Sequence, residues 1–225
     1  MPSQKTRVLL LLSGGIDSPV AGWLARQAGL EVDCIHFGNE VFAGAEPEFK
    51  SKTLAKQLGF GTFYYIDLSE LLSKLADKAR HKYYFVLMKR AMKRLAARVA
   101  QAKGYVALVT GESLGQVSSQ TLSNLALVDK AAPIPVLRPL LCLAKPEIIR
   151  LALEIGTFEV SKGKEHCDAL GPEKPSTRAR EEIVLEAEKE VGMDALVEQA
   201  FKGLREEAVA GMQIPEAPGR LKGVC

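Results

Sequence analysis

An α/β domain of three layers is what this sequence predicts: a mainly parallel, twisted sheet with helices on both faces, followed by a helical C-terminal extension. Three observations carry the prediction. Short runs rich in Val, Ile, Leu and Tyr recur five times before residue 141, with stretches between them long enough for crossover helices. Past Leu143 the apolar spacing turns helical. The composition, 47% apolar and 25% charged over 225 residues, suits one large domain and excludes disordered, collagen-like and coiled-coil chains.

Arg7–Leu12 is the first strand; its apolar run is too short for a secretory leader and ends in glycines. A helix at Ser18–Ala28, a strand at Glu31–Phe37, a helix at Pro47–Leu58 and a strand at Thr62–Leu68 follow. A long helix around Tyr83–Lys103 leads to a strand at Tyr105–Thr110, a helix at Ser118–Val128 and a strand at Pro135–Leu140. Lys145–Ile155 is helical, apolar at Ile148, Ile149, Leu151, Ala152 and Ile155. Gly156–Thr177 reads as a loop, long enough to be functional rather than connective. Arg178–Val191 and Asp194–Glu207 are two terminal helices parted by Gly192. Pro and Gly mark the end of the chain, giving one domain over 1–210 and a flexible tail over 211–225. No apolar run approaches the ~18 residues a membrane helix needs. Four scattered cysteines without a C-x-x-C pair fit a reducing cytoplasm.

The segment Ser13-Gly14-Gly15-Ile16-Asp17-Ser18 lies between the first strand and the first helix. Its glycines let the backbone approach a phosphate, the first N–H groups of the helix point at it, and Ser13 and Ser18 add hydroxyl donors. The plain alternative is a tight turn with a Ser or Asp helix cap. No lysine completes a Walker-type loop. Asp17 alone would repel phosphate, so its expected task is to hold Mg²⁺ on a polyphosphate.

These six residues match the loop of the PP-loop ATP pyrophosphatases, which split ATP between the α and β phosphates and adenylate a substrate oxygen. Gly111-Glu112-Ser113-Leu114-Gly115-Gln116-Val117, Arg138-Pro139-Leu140, Lys145-Pro146-Glu147 and Glu165-His166-Cys167 extend the match. From about Arg7 to Arg180 the chain resembles the tRNA 4-thiouridine synthetase family, also associated with sulfur transfer for the thiazole of thiamine. The resemblance implies an adenine nucleotide alpha hydrolase-like fold and an ATP-dependent sulfurtransferase. Such an enzyme adenylates a uridine carbonyl oxygen in tRNA and replaces it with sulfur. It implies nucleotide contacts at Leu11, Leu12, Ser13, Gly14, Gly15, Asp17, Ser18, His36, Phe37, Lys89, Gly111 and Gln120. Taken singly, His36 also reads as a satisfied strand-end histidine, Lys89 as a solvated helix lysine and Gly111 as a turn.

By the same resemblance Cys167 and Asp17 are the catalytic residues, Cys167 attacking an incoming persulfide to free its terminal sulfur. That role needs thiolate character, which Lys164 and His166 favour and Glu165 and Asp168 oppose. The sulfur donor would be a cysteine desulfurase or a rhodanese-like protein, and the chain a homodimer. Cys34, Cys142, Cys167 and Cys225 do not fit the family's cluster-binding spacing, so no iron–sulfur cluster is expected. Cys34 reads as core; Cys142 reads as core or as a second redox partner near the cleft.

Only six residues precede the first strand. The expectation is therefore a catalytic domain without the family's N-terminal RNA-binding region and without its rhodanese domain, served by a separate RNA-binding protein or by its own surface. Lys74–Lys103 bears on the latter: it holds ten Lys or Arg against one acid, Asp77. On a helix, Arg90, Arg94 and Arg98 form an i, i+4 stripe with Lys93 beside it, expected to meet RNA phosphates rather than read bases. A solvated amphipathic face is the plain alternative. Two other readings of the whole chain remain at this stage: thiolation of a small metabolite without RNA, and a nucleotide-binding regulatory subunit without turnover.

Overall fold

Successive residues of the first strand point to opposite sides of the sheet, and both sets are apolar. Val8 and Leu10 face one side and Leu9 the other, all fully buried. In the computed structural model, which describes residues 6–78, 80–162 and 170–214, this strand, β1 (Arg7–Leu11), belongs to a six-stranded sheet. Helix α1 (Asp17–Gln27) leads to β2 (Glu31–Gly38), parallel to β1 with Val8 opposite Val32. Helices α2 (Glu40–Ala43) and α3 (Glu46–Gln57) precede β3 (Thr62–Asp67). Helices α4 (Ser69–Lys78) and α5 (Tyr84–Lys103) precede β4 (Ala107–Val109), and α6 (Leu122–Asp129) precedes β5 (Val136–Leu137). The chain ends with α7 (Lys145–Glu154), α8 (Phe158–Ser161), α9 (Glu181–Val191), α10 (Met193–Lys202) and β6 (Arg205–Ala208).

The strand order is β5-β4-β1-β2-β3-β6, every neighbouring pair parallel except β3 with β6. Apolar residues of α4, α5, α6, α9 and α10 cover one face of the sheet; α1, α3 and α7 cover the other. Chain order reverses at β1, whose neighbours are β2 and β4. That reversal opens a crevice beyond the carboxyl ends of β1 and β4, where ligands of such sheets bind. No helix among the described residues is long and apolar enough to cross a membrane.

Several elements differ from expectation: the short helices α2 and α8 are additional, α8 falling within the expected loop, and β5 is shorter than the strand expected over Pro135–Leu140. Helix α4 is additional; Leu71, Leu72 and Leu75 give it a buried stripe, and Asp67 accepts hydrogen bonds from the Ser69 backbone N–H (2.8 Å) and hydroxyl (2.6 Å) at its start. The helix expected over Ser118–Val128 begins later, at Leu122, after a 3₁₀ turn over Ser118–Gln120, because Thr121 is its N-cap. The helix expected over Asp194–Glu207 stops at Lys202, and residues 205–208 pair antiparallel with β3. Alternation is absent from Arg-Glu-Glu-Ala; side chains hold this strand instead. The Arg205 guanidinium lies 3.8 Å from the Tyr65 ring centre, and Glu206 accepts from Lys103 at 2.5 Å. Packing also continues to Met212, which is buried just past the boundary expected at 210.

Helix α5 lies across the middle of one face, and the polar residues Arg90 and Lys93 are enclosed along with its apolar side. The Arg90 Nε and second terminal nitrogen donate to both carboxylate oxygens of Glu188 on α9, at 2.7 and 3.1 Å, and its first terminal nitrogen donates to the Leu127 carbonyl at 2.7 Å. Both side chains are about as buried as the core leucines, at 4% and 5% exposure. At the opposite end of the sheet, Asp33 joins three strands' worth of neighbours by accepting from Arg7 (2.8 Å), Tyr105 (2.7 Å) and the Thr62 backbone N–H (2.5 Å). Glu188→Ala is expected to lower the unfolding free energy by about 3–5 kcal/mol, since it leaves Arg90 buried without a counter-charge. Glu198→Ala, which removes a half-exposed partner of Arg98, is expected to cost under about 1 kcal/mol. Urea midpoints of the two variants at unchanged m check the contrast.

Candidate active site

The loop predicted for phosphate closes on itself through its two serines. The Ser18 hydroxyl accepts from the Ser13 backbone N–H at 2.9 Å and lies 3.0 Å from the Ser13 hydroxyl, which in turn accepts from the Gly15 N–H at 3.3 Å. Helix α1 has no side-chain cap, so its first N–H groups are left facing the crevice. Two glycines make room. A Cβ on Gly14 would stand 3.0 Å from the Cβ of Lys50, and one on Gly111 would stand 2.6 Å from the Ser18 nitrogen. Gly111 therefore lets the end of β4 press directly on the loop.

The loop divides the crevice into two compartments that share Leu11, Ser13, Gly15, Met88 and Met92. The smaller, about 220 Å³, has Leu12, Gly14, Phe37, Leu72 and Lys50 in its walls. His36 is 3% exposed and its Nδ1 lies 2.9 Å from the Leu12 carbonyl, so the imidazole braces the backbone just before the loop. The larger, about 620 Å³, contains Asp17, Ser18, Lys89, Lys93, Gly111, Glu112 and Gln120, with Pro172, Glu173 and Pro175 at its lip. Gln120 accepts from the Ser113 N–H at 3.1 Å through its side-chain oxygen, holding the loop after β4 in shape. Every nucleotide contact expected from sequence lines one or both compartments.

A wall of paired charge backs the larger compartment. Glu112 accepts from Lys89 (3.0 Å), Arg138 (2.9 Å) and the Thr110 hydroxyl (3.1 Å); Asp129 accepts from Lys93 (2.9 Å) and, by two bonds, from Arg138. Three cations against two carboxylates leave this wall one net positive charge, while Asp17 and Glu173 add carboxylates elsewhere in the compartment. Burial alone would push the Glu112 carboxyl up, yet Lys89, Lys93 and Arg138 outweigh it and bring it down to about 2. Burial pulls the Lys93 ammonium down, with Glu112 and Asp129 opposing.

Asp17 meets a partner that the sequence reading did not assign: Lys145 at the start of α7, Nζ to Oδ1 2.5 Å. Among the described residues no three His, Cys, Asp or Glu side chains gather as a metal site. A Mg²⁺ carried on nucleotide phosphates needs only one or two protein carboxylates, so Asp17 fits that ion.

Two of the four basic residues expected to face RNA, Arg90 and Lys93, are turned inward, which corrects the sequence reading for them; Arg94 and Arg98 stay part-exposed but paired with acids. Arg90 is held by Glu188 and Lys93 is 2% exposed between Asp129 and Glu112. Arg94 donates to Asp194 and Glu188, each at 2.7 Å. Arg98 pairs with Glu198 at 2.9 Å and lies 4.1 Å from the Phe201 ring centre. The physical reason is that α9 and α10 pack along that flank of α5 and bring the acids that neutralise it. Lys93 thus belongs to the cleft wall, where Glu112, Asp129, Arg138 and Lys145 join it as residues without an expected site role. For Glu112, Arg138 and Lys145 the signal was present in the matched segments; Asp129 lies outside them.

Cys34 is buried as expected, and burial pushes its thiol well up. Cys142 is exposed, not core, because it sits in the turn between β5 and α7. Cys167, with Lys164, Glu165, His166 and Asp168, lies outside the described residues, as does Cys225. The flanks of the cysteine-bearing stretch are described. The Lys162 carbonyl accepts from Lys50 at 3.3 Å beside the smaller compartment, and the Leu170 carbonyl accepts from His81 at 2.9 Å.

Because the folded pKa of Glu112 lies near 2, below its ordinary 4.5, its ionisation stabilises the fold above pH 4.5. That contribution, on the order of 3 kcal/mol, is lost as pH falls toward 2. Stability measured between pH 6 and 2 is expected to fall less steeply for Glu112→Gln than for the unaltered chain.

Comparison with known proteins agrees with this geometry. A crystal structure described as a 4-thiouridine synthetase–RNA complex with bound ATP superposes with a TM-score of 0.84 at 34% identity, covering 90% of this chain and 55% of that one. The NMN synthetase of Francisella tularensis shares the fold alone, at 16% identity and a TM-score of 0.55. "Probable tRNA sulfurtransferase" of Finegoldia magna is 37% identical over 204 residues, 88% of this chain and 52% of that protein. The protein of the same name from Coxiella burnetii is 37% identical over 206 residues, 87% and 52% respectively. The chain thus spans about half the length of the curated relatives it matches. The family model described as "Thiamine biosynthesis protein (ThiI)" matches residues 3–193, from ahead of the serine-stapled loop to the start of α10, and the chain belongs to that family.

Proposed function

We propose that this chain is the ATP-using, sulfur-transferring domain of a tRNA uridine 4-sulfurtransferase. The observation that carries the reading is the loop Ser13–Ser18 with its uncapped helix, set between a nucleoside-sized compartment and a larger one that presents Lys89 and Lys93. In this reading ATP lies across the loop, its base in the compartment with Leu12 and Phe37. Its phosphates meet the amides of α1, Lys89 and the net positive wall. Asp17 would hold Mg²⁺, which neutralises the phosphates when bound, and Lys145 would orient Asp17 or follow the departing pyrophosphate. Leu11, Met88 and Met92 give the shared boundary of the two compartments an apolar surface.

The acceptor is a uridine carbonyl oxygen. It attacks the α phosphorus, pyrophosphate leaves, and the oxygen then departs with AMP when sulfur attacks the same carbon. Cys167, three residues before the His81-bound Leu170, is the thiol assigned to release sulfur from a donor persulfide; its sulfur and the persulfide's inner sulfur end as a disulfide that a reductant must reopen. Names of relatives support the tRNA substrate, and the family's description supports a part in thiamine biosynthesis as well.

Incubation of the chain with Mg-ATP, a persulfide donor, a thiol reductant and unmodified tRNA is expected to give pyrophosphate together with 4-thiouridine. Pyrophosphate formed only with a small carbonyl acceptor would overturn the RNA reading. Gly111→Ala drives a methyl group against the Ser18 nitrogen and is expected to weaken ATP binding by about tenfold or more, measured by titration calorimetry.

A further inference from the structure

Asn124, in the first turn of α6, is fully buried, and every hydrogen-bonding group of its side chain is used outside its own helix. Its amide nitrogen donates to the Ser118 carbonyl and to the Ser176 carbonyl, both at 2.9 Å. Its amide oxygen accepts from the Ala179 backbone N–H, also at 2.9 Å. Capping does not explain it. Thr121 caps the helix, accepting from the Asn124 backbone N–H at 3.3 Å, and the same Thr121 hydroxyl donates to the Thr177 carbonyl at 2.6 Å. Packing does not explain it either, since an apolar side chain of similar size fills such a site without needing three partners placed to suit it.

The groups it joins are the two sides of the larger compartment. Ser118, Ser119 and Gln120 line its wall; Pro172, Glu173 and Pro175 form its lip, on the chain that runs directly into Ser176 and Ala179. We propose that Asn124 is a positioning residue, which with Thr121 clamps the lip to the wall and fixes the gap through which the acceptor base reaches the loop. In the reading above the base of ATP lies in the smaller compartment and only its phosphates reach the larger one, at the loop and Lys89. The clamp, tied through the carbonyls of Ser118 and Ser176 and the N–H of Ala179, therefore acts first on the acceptor. This inference rests on the sulfurtransferase reading above for its kinetic consequence, but not for the clamp itself.

Asn124→Asp keeps the shape of the side chain and turns a carboxylate oxygen toward two carbonyls. Thr121→Val removes the neighbouring tie to Thr177, and Thr121→Ser keeps it. Asn124→Asp and Thr121→Val are expected to lower kcat for tRNA thiolation about tenfold or more with the ATP Kd within about twofold of the unaltered chain, and Thr121→Ser to restore kcat. Unchanged kcat in both variants, or an ATP Kd that weakens in step with kcat, would overturn the proposal. Thr121→Val keeps the test open should Asn124→Asp fail to fold. Hydrogen exchange reads the clamp without any turnover: amides of residues 171–179 should exchange about tenfold faster in the variants while those of β1 keep their rates. Equal rates throughout, or acceleration everywhere, would overturn the clamp. If the unaltered chain makes no thiouridine, the sulfurtransferase reading fails and exchange alone decides Asn124.

Discussion

A guanidinium buried as deeply as that of Arg90 requires a counter-charge within hydrogen-bonding distance, and Glu188 presents both of its oxygens to it. Much of the molecule follows from that requirement. Helix α5 crosses the middle of the sheet with cations on more than one flank, so it is stable there only if acids arrive from elsewhere in the chain. On one side they come from α9 and α10, through Glu188, Asp194 and Glu198; on the other from Glu112 and Asp129. The C-terminal helices are thus the second half of a charge balance whose first half is laid down about a hundred residues earlier.

The same helix connects the core to the chemistry. Lys89 directly precedes Arg90 and Lys93 lies about one turn on, but both face the crevice, so the pairing that fixes α5 on its outer flank also fixes the cationic wall of the cleft. Next to that wall, the end of β4 meets the Ser13–Ser18 loop with only Gly111 between their backbones. The loop's shape is set by contact rather than by its glycines alone. Ser18 and Ser13 hold each other, His36 props the carbonyl before them, and β4 closes the far side. Little rearrangement is left for a nucleotide to induce, which is the condition under which backbone amides stabilise charge most effectively.

The parallel strands were legible because their residues alternate between two apolar faces, and the loop was legible because glycines between a strand and a helix have few other uses. Position along the sequence misled for Arg90 and Lys93, which are buried. Arg90, Arg94 and Arg98 have the spacing of a solvent face, and nothing within α5 reveals that the acids facing them lie on α9 and α10. A hint existed in the opposite charge of the two regions, +6 over residues 1–160 and −3 over 161–225, which is the signature of pairing as much as of a binding surface. β6 was illegible for a related reason: Arg-Glu-Glu-Ala has no strand pattern, and its conformation is dictated by Tyr65, Lys103 and the free edge of β3. The lysine on Asp17 was within the matched segments, yet its contact spans 128 residues and only the fold brings the two together.

That short antiparallel strand has a bearing on how the domain meets other molecules. An open edge invites another chain to add a strand, and the flank of β3 would have been a long, apolar invitation of this kind. β6 occupies it with charged side chains, so an incoming strand meets Arg205 and Glu206 instead of unpaired β3 backbone. At the other margin β5 is only two residues long, with Pro135 before it and Pro139 close behind. Both margins of the sheet are thereby poor templates for backbone pairing, a protection against fibrous self-association written into the least strand-like sequence of the fold.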